Sequence, residues 1–181
     1  GAKASATSAS FIGVSGLTVV ASDVSVAINR VASDNSVVDF GAQNLTVQTG
    51  TAGAPSTMVL DMAGSLGALT QVSAAVEIDA FGLLMARGTV TLQKSSGTVT
   101  VAGASKAVDE LLIGANNLSA FVGVGGAWSA GTSAYTGTGL TLSGLKLGLA
   151  ILKETGGSAR QWTGAKASAT SASFIGVSGL T

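Results

Sequence analysis

The chain has no histidine and no cysteine among its 181 residues. Ser-His-Asp triads, Cys-His pairs and the usual zinc sites are therefore excluded. Without cysteine there is no disulfide framework, which fits either the cytosol or a protein secreted by bacteria. A Ser-Lys catalytic pair remains, but Ser105 and Lys106 are adjacent, and adjacent side chains of a strand point to opposite faces. We expect no enzyme activity, no catalytic residue, no metal site and no cofactor.

Charged and aromatic residues are also scarce. Charged residues make up 10% of the chain, against about 25% in ordinary soluble domains, and nine basic residues balance nine acidic ones. This balance argues against a nucleic-acid partner, because binding to phosphates needs clustered Lys and Arg. Aromatic residues make up 4% of the chain, too few for the aromatic girdles of an outer-membrane barrel. We expect a chain that is not membrane-embedded.

The most specific feature that is present is a direct repeat. Gly1 to Thr18 and Gly164 to Thr181 both read GAKASATSASFIGVSGLT. The offset of 163 residues is far longer than the roughly 20–50 residues of solenoid and propeller units. We interpret residues 1–163 as one complete unit of a tandem array and residues 164–181 as the start of the next. These 18-residue segments are called the first copy and the second copy below.

Apolar and polar residues alternate in several short segments, which is typical of strands with one buried face. The alternation occurs at residues 2–7, 23–29, 44–48, 76–80, 89–93 and 145–153. Clusters of Gly, Ser and Asn predict turns at residues 33–36, 50–56, 95–97, 125–139 and 156–158. Residues 105–116 carry a competing helical spacing. The sequence predicts an all-β fold: a strongly coiled antiparallel sheet, barrel-like or superhelical, with little or no helix.

A hexapeptide, Phe-x-Gly-Val-x-Gly, recurs at residues 11–16, 121–126 and 174–179. Glycine inside a strand pattern marks a bulge, a sharp bend or a close approach of two backbones. A strongly coiled sheet needs such residues at its corners. We predict that the junction between repeats is built from residues of the first and second copies, with Phe11 and Phe174 in equivalent corners. The predicted junction residues are Phe11, Gly13, Gly16, Phe174, Gly176 and Gly179.

Four segments occur in an order that resembles a known kind of protein. They read AFGLLMA at 80–86, GTVTLQK at 88–94, VDELLIGANNLSAFVGVGG at 108–126 and GLTLSGLKLGLAILKE at 139–154. The unit resembles the tandem β-domains of giant bacterial surface or secreted proteins, similar in kind to large adhesins exported by type I secretion. The resemblance implies an extracellular or cell-surface structural module with no enzymatic role. The Gly-Gly-x-Gly-x-Asp calcium repeat is missing, since Ala127 and Trp128 come directly after Gly125-Gly126.

Several acidic residues have spacings that a ligand site would use. Glu77 and Asp79 share one face of a predicted strand, and Asp61 is a candidate for a neighbouring strand. Such carboxylates suit glycoside hydrolysis or calcium binding. Asp34-Asn35-Ser36 with Asp39 suggests a short cation loop. We interpret the first group as a solvated strand face and the second as a turn between strands.

Threonine and aromatic residues suggest an alternative function. The pairs at 89–91 and 98–100 flank the predicted turn at 95–97, and threonine rows across such a hairpin would suit ice or sugar hydroxyls. Trp128 and Tyr135 would suit stacking on a sugar ring. We interpret the threonines as ordinary strand residues and the two aromatics as anchors of a Gly/Ser-rich loop. A carbohydrate- or ice-binding module, with a surface glycan as ligand, is the alternative.

The duplication also predicts how units join. A β-unit taken from an array exposes an edge that a neighbouring unit covers. The two copies are expected to favour the same structural slot. The second copy therefore either caps its own chain or completes a neighbour by strand addition, which is head-to-tail and builds fibres or a continuous superhelix. With adjacent repeats as partners, we expect concentration-dependent association that is lost when residues 164–181 are removed.

Overall fold

A computed structural model describes residues 1–11, 15–129, 134–156 and 160–177. In these residues the only helical element is one 3₁₀ turn, Gly64–Leu66. The all-β prediction with little helix is therefore confirmed. The strands are β1 Ala2–Phe11, β2 Leu17–Asn29, β3 Leu45–Gln48, β4 Thr57–Leu60, β5 Leu69–Ala80, β6 Leu84–Val101, β7 Ala104–Ser129, β8 Ala134–Glu154, β9 Gln161–Ser168 and β10 Ser171–Ile175.

Eight strands form one sheet in the order β1-β2-β5-β6-β7-β8, after which β9 and β10 both pair with β8. Every neighbouring pair in this sheet is antiparallel. β3 and β4 form a separate hairpin. Over the described residues the large sheet is neither closed nor strongly coiled. Barrel-like closure and superhelical coiling therefore remain predictions.

Three details of the sequence interpretation are corrected. The turn predicted at 125–139 is mostly strand, because β7 runs to Ser129 and β8 begins at Ala134. Residues 105–116, with their helical spacing, lie in β7, where Leu111 pairs with Lys94 on one side and Ile151 on the other. Pairing on both sides satisfies the backbone of this segment as well as a helix would. The turn predicted at 95–97 is wrong, because β6 runs straight through it. The chain reverses instead at Ala102-Gly103, between the paired residues Val101 and Ala104.

Little of the sheet is buried. The chain exposes 11130 Å², whereas a compact monomer of this size exposes about 7,900 Å². Much of the sheet is therefore a single layer with both faces accessible. One small core lies where residues 38–66, called the hairpin layer below, cover one end of a sheet face. It consists of Phe40, Leu60, Met62 and Leu69, with Ala27 packed against them.

A second buried point lies under the end of the β7–β8 hairpin. Arg87 pairs with Ser119 of β7, and its Cζ atom lies 3.9 Å from the centre of the Trp128 ring. Trp128 is nine residues beyond Ser119, about 30 Å along an extended strand. The hairpin end must therefore fold back over the sheet. The bend is at Gly125 and Gly137, which both have left-handed φ values.

Candidate functional site: the two edges of the sheet

The two identical copies lie at opposite edges of the sheet. The first copy forms β1 and pairs with β2, with Ala2 opposite Ile28. The second copy supplies most of β9 and all of β10, which pair with β8. The structure thus gives the copies two different neighbours, where the sequence predicts one shared slot. Over its described residues, each copy is paired with a neighbouring strand along one edge and unpaired along the other.

β9 and β10 behave as a single edge strand. Ser168 pairs with Lys146 and Ser171 with Ser143, so the register continues across the break between them. Thr170 lies in that break, and its N–H donates to the Ser143 carbonyl at 3.0 Å. The register places Thr170 opposite Gly144, whose φ is 58°. In the first copy, the register places Thr7, the counterpart of Thr170, opposite Asp23, whose φ is 51°. In both copies the same threonine therefore lies opposite a residue with a left-handed backbone conformation.

The two copies run in the same direction, because six antiparallel ladders separate them. They also present the same residues to the same face. The row of directly paired residues that begins at Ala2 ends at Thr163, two positions before Ala165, the counterpart of Ala2. That row is Ala2, Ile28, Thr70, Lys94, Leu111, Ile151 and Thr163.

A second row, on the other side of the left-handed residues, gives the same result. It begins at Phe11 and ends at Ala172, two positions before Phe174, the counterpart of Phe11. Equal direction and equal facing mean that the first copy uses one of its edges and the second copy uses the other. One strand of this sequence has room for both neighbours. The row is Phe11, Val19, Ile78, Ala86, Ala120, Leu142 and Ala172.

The predicted junction residues are only partly brought into packed positions. Phe11 ends β1, and Gly13 and Gly179 lie outside the described residues. Gly16 and Gly176 have φ values of 81° and 71°, so both glycines serve backbone conformations that other residues adopt at a cost. A Cβ at Gly16 would clash with Phe81, and one at Gly176 with the Gly137 carbonyl. Phe174 is 66% exposed and fills no corner in this chain.

The occurrence of the hexapeptide at residues 121–126 shows what its glycines do. Phe121 is fully buried, and its own glycines cover its ring. A Cβ added at Gly123 would lie 2.7 Å from Phe121 Cζ, and one at Gly126 would lie 2.5 Å from Phe121 Cε1. The chain turns back over the phenylalanine that opens the motif, so these glycines lie where the backbone approaches the ring closely. The spacing of Phe and Gly was the available sequence signal.

The candidate carboxylates each have a structural partner. Arg87 donates from Nη2 to Glu77, and the Gly82 N–H donates to Asp79 at 2.8 Å. Asp61 accepts from Lys3 at 2.9 Å, so it does not join Glu77 and Asp79. Among the described residues no three His, Cys, Asp or Glu side chains are grouped as a metal site would require.

Asp34 and Asp39 hold turns. Asp34 accepts from the backbone N–H and the hydroxyl of Ser36. Asp39 accepts from three backbone N–H groups, of Gly41, Ala42 and Gly64. The Ser36 bonds hold the pKa of Asp34 below its ordinary value, and the backbone N–H bonds, with Gly64 the strongest, do the same for the pKa of Asp39. This geometry confirms the interpretation of the segment as a turn.

The two features behind the alternative function are arranged differently from what that function requires. Thr89 and Thr98 lie in the same strand, β6, and are separated by an odd number of positions, so the two threonine pairs face opposite sides of the sheet. One side of the Trp128 ring faces Arg87. The Tyr135 hydroxyl donates to the Ser119 carbonyl at 2.8 Å, and its ring meets Trp128 edge-on at 4.9 Å. The two aromatics hold the folded-back hairpin end against the sheet.

Comparison of the chain with family models, curated proteins and solved structures found no match. In the part of the chain that the structure describes, no helix is long and apolar enough to cross a membrane.

Proposed function

We propose that the chain is a structural or adhesive repeat module of a large extracellular or cell-surface bacterial protein, without enzyme activity. Adjacent repeats join head-to-tail through one shared strand. The observation that carries the proposal is the placement of two identical strands at opposite edges of one sheet. They run in the same direction, face the same way and leave opposite edges free.

In an array, each copy of the 18-residue segment has two neighbours. β8 of the preceding unit pairs with one edge, as it does with β9 and β10. β2 of the following unit pairs with the other edge, as it does with β1. The sheet then continues from unit to unit without an exposed edge, which removes the hazard of unpaired strands.

The register gives this array a pitch. Both rows of paired residues start at a residue of the first copy and end two residues before its counterpart in the second copy. Each unit is therefore shifted along the strand direction by about 7 Å relative to the unit before it. An offset repeated at every unit, combined with the right-handed twist of strands, favours a superhelical array. This offset and the left-handed residues opposite Thr7 and Thr170 support the coiling that the sequence predicts.

The isolated chain is capped in this scheme. It carries both copies, and the second copy pairs with β8 of its own chain. Removal of residues 164–181 would therefore open β8 to the first copy of a neighbour and promote association. This expectation is the reverse of the one drawn from the sequence, because the sequence does not show which edge the second copy covers.

Proline substitution tests the shared strand in the full-length chain. Proline cannot donate a backbone N–H, and adjacent residues direct their N–H groups to opposite sides of a strand. Two pairs of neighbouring prolines, placed at two points along one copy, therefore release that copy from the strand with which it pairs. The matched blocks are Ala4→Pro, Ser5→Pro, Ala9→Pro and Ser10→Pro in the first copy, and Ala167→Pro, Ser168→Pro, Ala172→Pro and Ser173→Pro in the second.

Sedimentation velocity over a range of concentrations gives the readout. A block in one copy leaves the neighbouring strand of that copy, β2 or β8, unpaired. The other copy keeps its N–H groups and can pair with the exposed strand of a second molecule. Both single-block variants are therefore expected to assemble head-to-tail. The chain with both blocks has no donor and is expected to stay monomeric, as is the unblocked chain at low concentration. Single-block chains that remain folded and monomeric at all concentrations would contradict the proposal.

A further inference from the structure

The two copies have identical sequences but different surroundings above one face. In the first copy, a Cβ added at Gly1 would lie 2.6 Å from Phe40 Cε2 and 2.9 Å from Met62 Cε. The hairpin layer therefore presses directly on Gly1. In the second copy, nothing lies within 4 Å of the equivalent position on Gly164.

The charged residue beside each glycine repeats the difference. Lys3 Nζ lies 2.9 Å from Asp61 Oδ1 of the hairpin layer. Lys166, the counterpart of Lys3, is exposed, and the structure gives it no ion-pair partner within the described residues. The same three-residue segment is covered by an apolar pair and a carboxylate at one edge and is bare at the other.

Both segments lie on the same face of the sheet. The row of paired residues that begins at Lys3 ends at Gly164, which is the counterpart of Gly1 and so faces the same way as Lys3. A hairpin layer on the next unit would therefore approach Gly164 from the same side as it approaches Gly1. The row is Lys3, Ala27, Gln71, Gln93, Leu112, Ala150 and Gly164.

We infer that the hairpin layer of one unit docks on residues 164–166 of the unit before it. Phe40 and Met62 of the second molecule cover Gly164, and its Asp61 pairs with Lys166. This inference rests on the proposed function, because the docking depends on the shared strand. It adds a second contact, between side chains, to the backbone pairing of that strand.

The surface next to Gly164 has room for the overhanging part of the hairpin layer. Gly148 of β8 pairs with Lys166 of the second copy, and Gly114 of β7 pairs with Gly148. At neither glycine does an atom lie within 4 Å of the position of an added Cβ. In the hairpin layer, Leu45 and Val47 of β3 are 52% and 41% exposed. Leu45 and Val47 of the second molecule would reach the strip formed by Gly148 and Gly114. Burial of these apolar side chains against the strip would stabilise the junction.

A valine at Gly164 tests the docking. The substitution is made in the full-length chain that carries the proline block in the first copy, where the second copy is the donor strand. The added side chain would meet Phe40 and Met62 of the neighbour, as it would at Gly1, and overpacking of this kind is unfavourable. We expect Gly164→Val to weaken head-to-tail association by about tenfold. Sedimentation velocity measures the association.

Three controls separate the docking from other effects. Gly164→Val in the unblocked chain is expected to leave thermal unfolding unchanged, because the position is open. Ala165→Val, on the opposite face, is expected to leave association unchanged. In the chain with the block in the second copy, Gly164→Val is expected to have no effect, because Gly1 then lies in the junction.

The outcomes distinguish this inference from the proposed function. If both single-block chains associate but Gly164→Val leaves the association of the first-copy-block chain unchanged, the docking inference is overturned and the shared strand stands. If no single-block chain associates, both fail. A tenfold loss confined to Gly164→Val in the first-copy-block chain supports the docking.

Discussion

Phe121 and Phe174 open the same Phe-x-Gly-Val-x-Gly hexapeptide, yet Phe121 is fully buried and Phe174 is 66% exposed. The difference lies in the part of the chain that covers each ring. The β7–β8 hairpin end folds back over Phe121, and Trp128 and Tyr135 hold it there. Phe174 lies on the outermost strand of the sheet, opposite Leu140, where one neighbouring strand leaves most of its side chain exposed.

The two phenylalanines are therefore expected to differ in their effect on stability. Phe121→Ala removes a fully buried ring beneath closely packed glycines and is expected to lower the free energy of unfolding by about 3–5 kcal/mol. Phe174→Ala, the matched control, is expected to change it by less than about 0.5 kcal/mol. Urea unfolding monitored by circular dichroism measures both. Equal losses in the two variants would show that Phe174 is packed in the isolated chain.

The two-residue turn between β6 and β7 leaves stability to be gained. Ala102 and Gly103 have φ values of 49° and 81°, the left-handed pair of a type I′ turn, in which Asn-Gly is strongly preferred. Ala102→Asn is expected to raise the free energy of unfolding by about 1 kcal/mol, because alanine is strained in this region. For a chain of this size the gain corresponds to a rise in Tm of about 2–4 °C.

Differential scanning calorimetry measures that rise. Ala104→Asn is the matched control, because Ala104 is also exposed but lies in β7, where asparagine is disfavoured. It is expected to give no gain. A lower Tm for Ala102→Asn would mean that the chain reverses with a different turn geometry.

Tyr135 reports on the folded-back hairpin end through its titration. It is the only tyrosine in the chain, so tyrosinate absorbance has a single source. Burial raises the pKa of its phenol, while the nearby Arg87 charge acts in the opposite direction with a smaller effect. In the folded chain the absorbance is expected to appear above the ordinary pKa of about 10, and at that ordinary value in denaturant.

The same shift gives a pH dependence of stability. A pKa that is raised on folding means that the folded state holds the proton more tightly, so this group favours folding fully below the ordinary pKa. Its contribution is lost as the pH rises from about 10 through the higher folded value. Tyr135→Phe is expected to remove this alkaline loss. It also removes the hydrogen bond to the Ser119 carbonyl, at a cost of about 1 kcal/mol at neutral pH.

The alternation and the direct repeat were enough to predict an all-β chain that contains the same strand sequence twice. Alternation of apolar and polar residues fixes which segments become strands, because a strand presents successive side chains to opposite faces. Residues 2–7 and 145–153 are in strands as predicted. Identical segments have identical local preferences, so the first and second copies both form strands.

Which neighbour each copy has depends on the tertiary structure. Strand pairing joins residues far apart in sequence, and its partners depend on the order of the whole sheet, which local alternation does not encode. Residues 95–97 and 105–116 show the same limit, since pairing with neighbouring strands on both sides overrides their turn and helix preferences. The contrast between covered Gly1 and bare Gly164 is likewise tertiary, because Phe40 and Met62 reach one edge of the sheet and not the other.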